Sequence, residues 1–165
     1  MDCSGNIKVA FIEGTHVLKL SGDLRLNLCT GLEKYLDEIL AVPNFTNVVI
    51  ELSAAKAIDS TTLGQLAKIS IVCRERFHLT PTIVSPNPAI TRLLLSMGFE
   101  QVFHIIHEPF NQKVKFKDWV AEAMDEEEGR QQVIDAHRVL MSLNDKNKSE
   151  FHDLVNSLES ESHTQ

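Results

Sequence analysis

The chain has few of the residues that usually mark covalent or metal chemistry. Its 165 residues include three cysteines, Cys3, Cys29 and Cys73. An odd number with no metal or redox spacing reads as small buried apolar groups, not as a disulfide frame or a zinc site. No apolar run approaches the roughly 18–20 residues that span a bilayer. Met1 to Gly5 also lack the basic-then-apolar pattern of a secretory leader. The expectation is a cytoplasmic protein with no membrane insertion. There is no Gly-x-x-x-x-Gly-Lys-Ser/Thr phosphate loop, no Gly-x-Ser-x-Gly elbow and no Gly-x-Gly-x-x-Gly turn. His104 and His107, three apart near a strand end, face opposite sides. Asp59 is the lone acidic residue at the central strand-to-helix junction, which argues against a receiver built on clustered carboxylates. The chain is therefore expected to be no enzyme and to need no metal or cofactor.

What is present is an ordinary globular composition, with 43% apolar and 24% charged residues. A single core of roughly 100–150 residues with an appendage fits that length. Charge is divided unevenly. Residues 1–117 carry 12 Lys and Arg against 11 Asp and Glu, whereas residues 118–165 carry 4 against 12. Such an acidic tail repels phosphate backbones and acidic lipid, so direct nucleic-acid binding is not expected and a protein partner is favoured.

Ile7, Val9 and Phe11 alternate with polar residues. A turn at Glu13 to His16 and a second alternating run from Val17 to Leu24 complete a hairpin pattern. Leu28, Leu32, Tyr35, Leu36, Ile39 and Leu40 recur at helical spacing, ended by Pro43. Val48 to Leu52 reads as a buried parallel strand. Beyond Ser53 to Asp59, the positions Leu63, Leu66, Ala67, Ile69, Ser70 and Cys73 form a helical stripe. Pro81 to Ser85 reads as a strand, Ile90 to Met97 as a helix stopped by Gly98, and Phe99 to Ile106 as a last strand. This order predicts an α/β fold with a mixed, mainly parallel sheet of about five strands covered by helices. The division drawn is a domain over residues 1–110 and an acidic, α-helical extension over residues 111–165. In the extension, Phe116, Trp119, Val120 and Ala123 form one stripe, Val133, Ile134, His137, Leu140 and Met141 a second, and Phe151, Leu154, Val155 and Leu158 a third. Gly129 and Asn144 to Lys148 are read as the breaks, with Asn147 capping the last helix. Such short amphipathic helices must bury their stripes on each other, on the core or on a partner, which leaves room for a dimer through the tail.

The segment that could carry chemistry is Ile58-Asp59-Ser60-Thr61-Thr62-Leu63-Gly64, where a strand passes into a helix. Asp59 or Ser60 caps that helix, and three hydroxyls gather at its positive end. A phosphate there would meet free backbone N–H groups.

In four places the chain resembles the anti-sigma-factor antagonist (STAS) family. Val17 to Leu24 is similar to the second strand and its Gly-x-Leu turn, and Val48 to Ser53 to the central strand. Asp59-Ser60-Thr61-Thr62-Leu63-Gly64 resembles the Asp-Ser-[Ser/Thr]-Gly-Leu-Gly phosphorylation motif, and Phe99 to Phe103 the closing strand. The resemblance spans about residues 5–107 and implies a STAS-like fold with Ser60 as phosphoacceptor. It further implies that Asp59, Ser60, Thr61, Thr62, Leu63 and Gly64 form the partner-binding surface. The implied partners are an anti-sigma factor that is often a serine kinase, bound when Ser60 is unmodified, and a metal-dependent serine phosphatase that restores that state. Two positions depart from the motif. Thr62 stands in place of Gly and stiffens the loop, and Arg25 stands where many members carry an acidic residue. The competing expectation is a constitutive STAS accessory subunit of a membrane transporter complex.

Overall fold

A computed structural model describes residues 4–42, 44–109 and 113–163. Cys3 and Pro43 lie outside the described residues.

Seven strands form one sheet in the order β6-β5-β3-β2-β1-β7, with β4 paired to β2 off this path. The hairpin of β1 (Asn6–Ile12) and β2 (Thr15–Leu24) is antiparallel, in a register that places Val9 opposite Leu18. Glu13 and Gly14, at φ 49° and 79°, make its two-residue turn. Positive φ at both positions matches the right-handed twist of the flanking strands. β2 pairs in parallel with β3 (Asn47–Glu51), β3 with β5 (Thr82–Val84), and β5 with β6 (His104–Ile106). The central strands bury both faces, which explains the β-branched run Val48-Val49-Ile50. Helices α1 (Cys29–Ala41), α2 (Ser60–Phe77) and α3 (Pro88–Ser96) cover the sheet. Leu18, Leu20, Leu32, Ile39, Ile50, Leu66 and Phe99 fill the core. The Cys29 and Cys73 thiols lie in this core, and burial pushes them up to about 12 and about 11.

Four local readings need correction. Phe99 to Phe103 is not strand: Gly98 turns at φ 81°, Phe99–Gln101 is a 3-10 turn, and only His104–Ile106 joins the sheet. Phe99 and Phe103 are both buried, with ring centroids 5.3 Å apart, the spacing of a helical turn and not of a strand. The stripe from Phe116 to Ala123 is not a helix. Its residues Lys117–Trp119 form β7, antiparallel to β1 with Ile7 opposite Trp119. Val120 is 75% exposed, so the four positions never formed one apolar face. Gly129 does not break a helix; it lies inside α4 (Glu126–Leu143). Nor does Asn147 cap α5 (Asp145–His163). Asn144 does, accepting from the Asn147 N–H at 2.8 Å.

The side chain of Asn147 is fully buried and donates to the carbonyls of Met97 (2.8 Å) and Leu140 (3.0 Å). Lys146 Nζ donates to Ser96 O at 2.7 Å. The corner between α4 and α5 thereby supplies partners to carbonyls at the end of α3, which have none within their own helix. The acidic tail is thus a helical hairpin folded back on the domain. Its apolar residues Ile134, Leu140, Phe151 and Val155 are buried within the chain.

Candidate functional site: the start of α2 and the helix that covers it

A bulge at Gly22–Asp23 lets the end of β2 pair with β4 (Ala55–Ile58), a strand that Ser53 to Asp59 did not reveal in the sequence. β4 delivers the chain to Asp59, whose N–H donates to Leu24 O at 2.9 Å. The Asp59 carboxylate then serves two helix starts at once. Oδ1 accepts from the Thr62 N–H at 2.8 Å and Oδ2 from the Leu26 N–H at 2.9 Å, at the 3-10 turn that leads into α1. Of the two expected caps, Asp59 is the one used, and Ser60 is the first residue of the helix. Its hydroxyl is therefore free of capping duty and stands at the positive end of α2.

The six motif residues are brought together but are unequally available. Asp59 and Ser60 are half-buried, while Thr61, Thr62, Leu63 and Gly64 are buried. Thr62, in the place of the motif glycine, is fully buried with its Oγ1 unpartnered, and Leu63 packs in the core. Arg25, the second departure, is exposed.

One functional neighbour was not singled out in the sequence. Ser60 Oγ lies 2.7 Å from Nε2 of His137, on α4. His137 Nδ1 lies 2.7 Å from the Val133 carbonyl. A carbonyl only accepts, so Nδ1 carries hydrogen, and in the neutral ring Nε2 accepts from the Ser60 hydroxyl. The His137 ring also packs edge-on against Phe151, centroids 4.9 Å apart, and is 2% exposed. Its signal in the sequence was a histidine in the apolar stripe of Val133, Ile134, Leu140 and Met141, where a buried ring nitrogen needs a partner.

Further along α2, Gln65 Nε2 donates to Gln132 Oε1. Gly64 meets α4 so closely that an added Cβ would lie 2.7 Å from the Ala136 Cβ and overlap the Ala136 carbonyl. Thr61 to Ala67 are all buried, polar members included, because α2 lies between the core, into which Leu63, Leu66 and Ala67 pack, and α4. Beside the start of α2 a cleft of about 640 Å³ opens between the hairpin and the domain, lined by residues that include Leu26, Asn27, Arg130, Val133 and Leu158. Among the described residues no three His, Cys, Asp or Glu side chains converge, and no helix is long and apolar enough to cross a membrane.

The family model of the STAS domain matches residues 6–123, and the chain belongs to that family. The matched stretch takes in β7 and ends just before the α4–α5 hairpin. Among solved structures, the fold is similar to that of the protein TM1081, determined by NMR. That match has 21% identity and a TM-score of 0.53, covering 59% of this chain and 78% of the other. It is likewise similar to an anti-sigma factor antagonist from Mycobacterium paratuberculosis, with 24% identity and a TM-score of 0.52 over 64% of this chain and 87% of that one. At these identities the likeness is one of fold. No curated protein matches the chain.

Proposed function

We propose that the chain is a non-enzymatic anti-sigma-factor antagonist of the cytoplasm whose partner binding is set by phosphorylation of Ser60. The observation that carries this reading is the position of Ser60. Asp59 does the capping, leaving the Ser60 hydroxyl at the positive end of α2 in a STAS fold. A phosphate there meets the helix dipole and stays compatible with the fold. It adds about -1.5 to -2 charges, beside the Asp59 carboxylate, on the surface a partner would use. The unmodified form binds an anti-sigma factor with kinase activity and so frees a sigma factor for transcription. A metal-dependent phosphatase regenerates it. The solved antagonist of the same fold supports the same class of partner.

Affinity capture of the tagged chain from its own cells, with mass spectrometry of both the partner and the chain, tests this. The expected outcome is an ATP-binding anti-sigma factor held by wild type and Ser60→Ala but not by Ser60→Asp, with phosphate located on Ser60. Recovery of a transporter ATPase instead would replace this reading with that of a constitutive transporter subunit.

A further inference from the structure

The face of α2 that begins at Ser60 is already occupied by part of the same chain. α4 lies along it with three kinds of contact: the Ser60–His137 hydrogen bond, the Gln65–Gln132 hydrogen bond, and the backbone-close approach of Gly64 to Ala136. Only a residue without a side chain at 64 lets a second helix come so near. This face is therefore a helix-accepting surface. Its shape calls for a small residue opposite Gly64 and a hydrogen-bonding group opposite Ser60.

We propose that the α4–α5 hairpin is a releasable occupant of this surface, which must leave before Ser60 is modified or a partner helix docks there. The part of this concerning the partner rests on the function proposed above; the part concerning release does not. Three observations favour a reversible contact. Two of the pairs across it are hydrogen bonds between polar side chains, Ser60 with His137 and Gln65 with Gln132, as at interfaces that open and close. Solvent reaches one flank of the contact through the open cleft of about 640 Å³ lined by Leu26 and Asn27 of the domain and by Arg130, Val133 and Leu158 of the hairpin. The stretch that joins the hairpin to β7, residues 120–125, has no helix or strand.

Phosphate and hairpin exclude one another on this face. With Oγ 2.7 Å from a ring nitrogen that is itself buried, there is no volume for a phosphate group between Ser60 and α4. The hairpin, residues 126–163, carries 9 acidic against 4 basic residues, so charge opposes its return over a phosphoserine. The sheet does not depend on the hairpin for its strand ladder, since every strand pairs within residues 6–119. Release therefore leaves the strand ladder intact.

Hydrogen–deuterium exchange on the full chain, with no partner present, tests this in three forms: wild type, Ala136→Leu, and a chain carrying phosphoserine at position 60, installed during synthesis. In wild type, amides of α4 and α5 should exchange faster than those of β2 and β3, by an opening that leaves the sheet closed. In both altered chains, exchange at Ser60 to Lys68 and throughout α4 and α5 should rise together by at least roughly tenfold, the scale expected when a buried hydrogen bond is lost. β2 and β3 should not change. His137→Ala, which removes the hydrogen bond without adding bulk, should give a smaller rise with the same pattern. Exchange of α4 and α5 only together with β2 and β3, or unchanged protection of α4 in the phosphoserine chain, would overturn the proposal. Either result would leave capture of an anti-sigma factor untouched, so the two readings fail separately.

Discussion

At Thr62 and His16, single side chains carry costs that can be measured. The Thr62 hydroxyl is fully buried with no partner among the described residues, and an unsatisfied polar group of this kind costs about 1–3 kcal/mol. Thr62→Val keeps the shape and removes the hydroxyl. Urea unfolding should then show a chain at least as stable as wild type, by up to about 2 kcal/mol; a clear loss would mean that the hydroxyl has a partner. His16 lies between Phe11 and Phe45, with ring centroids at 4.7 and 4.9 Å, and its Nε2 is likewise unpartnered. Burial holds its pKa below the usual 6.5, opposed in part by Glu38. The folded chain therefore binds this proton more weakly than the unfolded chain does. The stability linked to neutral His16 is complete above about pH 6.5 and drains away as pH falls from there through the folded pKa. The unfolding midpoint of wild type should fall between pH 8 and pH 5, and that of His16→Phe should fall less. Parallel pH profiles would place the sensitivity elsewhere.

Among the elements, β7 decides where the domain can be cut. Trp119 Nε1 donates to Gly31 O at 2.9 Å, and Lys117–Trp119 covers the outer edge of β1. A chain ended after Ala123 keeps these contacts, whereas one ended after Pro109 bares the β1 edge. Thermal melting should be cooperative for the first and shifted several degrees lower for the second, as a loss of about 1 kcal/mol or more produces in a domain of this size. Equal melting temperatures would mean that β7 adds nothing. The segment leading into it gave a hint: Lys113, Val114, Lys115 and Phe116 alternate exposed and half-buried, while the three residues of β7 itself do not alternate. The spacing of Phe116, Trp119, Val120 and Ala123 imitated a helix over too short a stretch to be tested. β4 was hidden for another reason. Its pattern, with Lys56 and Ala57 both exposed between buried Ala55 and Ile58, does not alternate, because it pairs across the bulge in β2. The hairpin, the central strands and the later helices were readable because their periodicity persists over several turns or strands and is bounded by Gly and Pro.

At the scale of the whole molecule, the motif around Ser60 could be found from local order alone, since Asp59 caps within its own turn. Its cover could not. His137 is 77 residues away in sequence, and only the return of the tail across α2 brings the two together. The acidic balance of the tail favours a protein partner; it does not indicate that the tail's helices fold back on their own domain. The central claim is that a charge on Ser60 decides whether a partner binds. It is tested most directly by isothermal calorimetry of the captured anti-sigma factor against three forms of the chain: unmodified, phosphoserine at position 60, and Ser60→Ala. A like-charge contact across an interface costs several kcal/mol, and each 1.4 kcal/mol is about a factor of ten in affinity. The phosphorylated chain should therefore bind at least about a hundredfold more weakly than the unmodified one, with Ser60→Ala binding at least as tightly as wild type. Equal affinity for the unmodified and phosphorylated chains would contradict the claim.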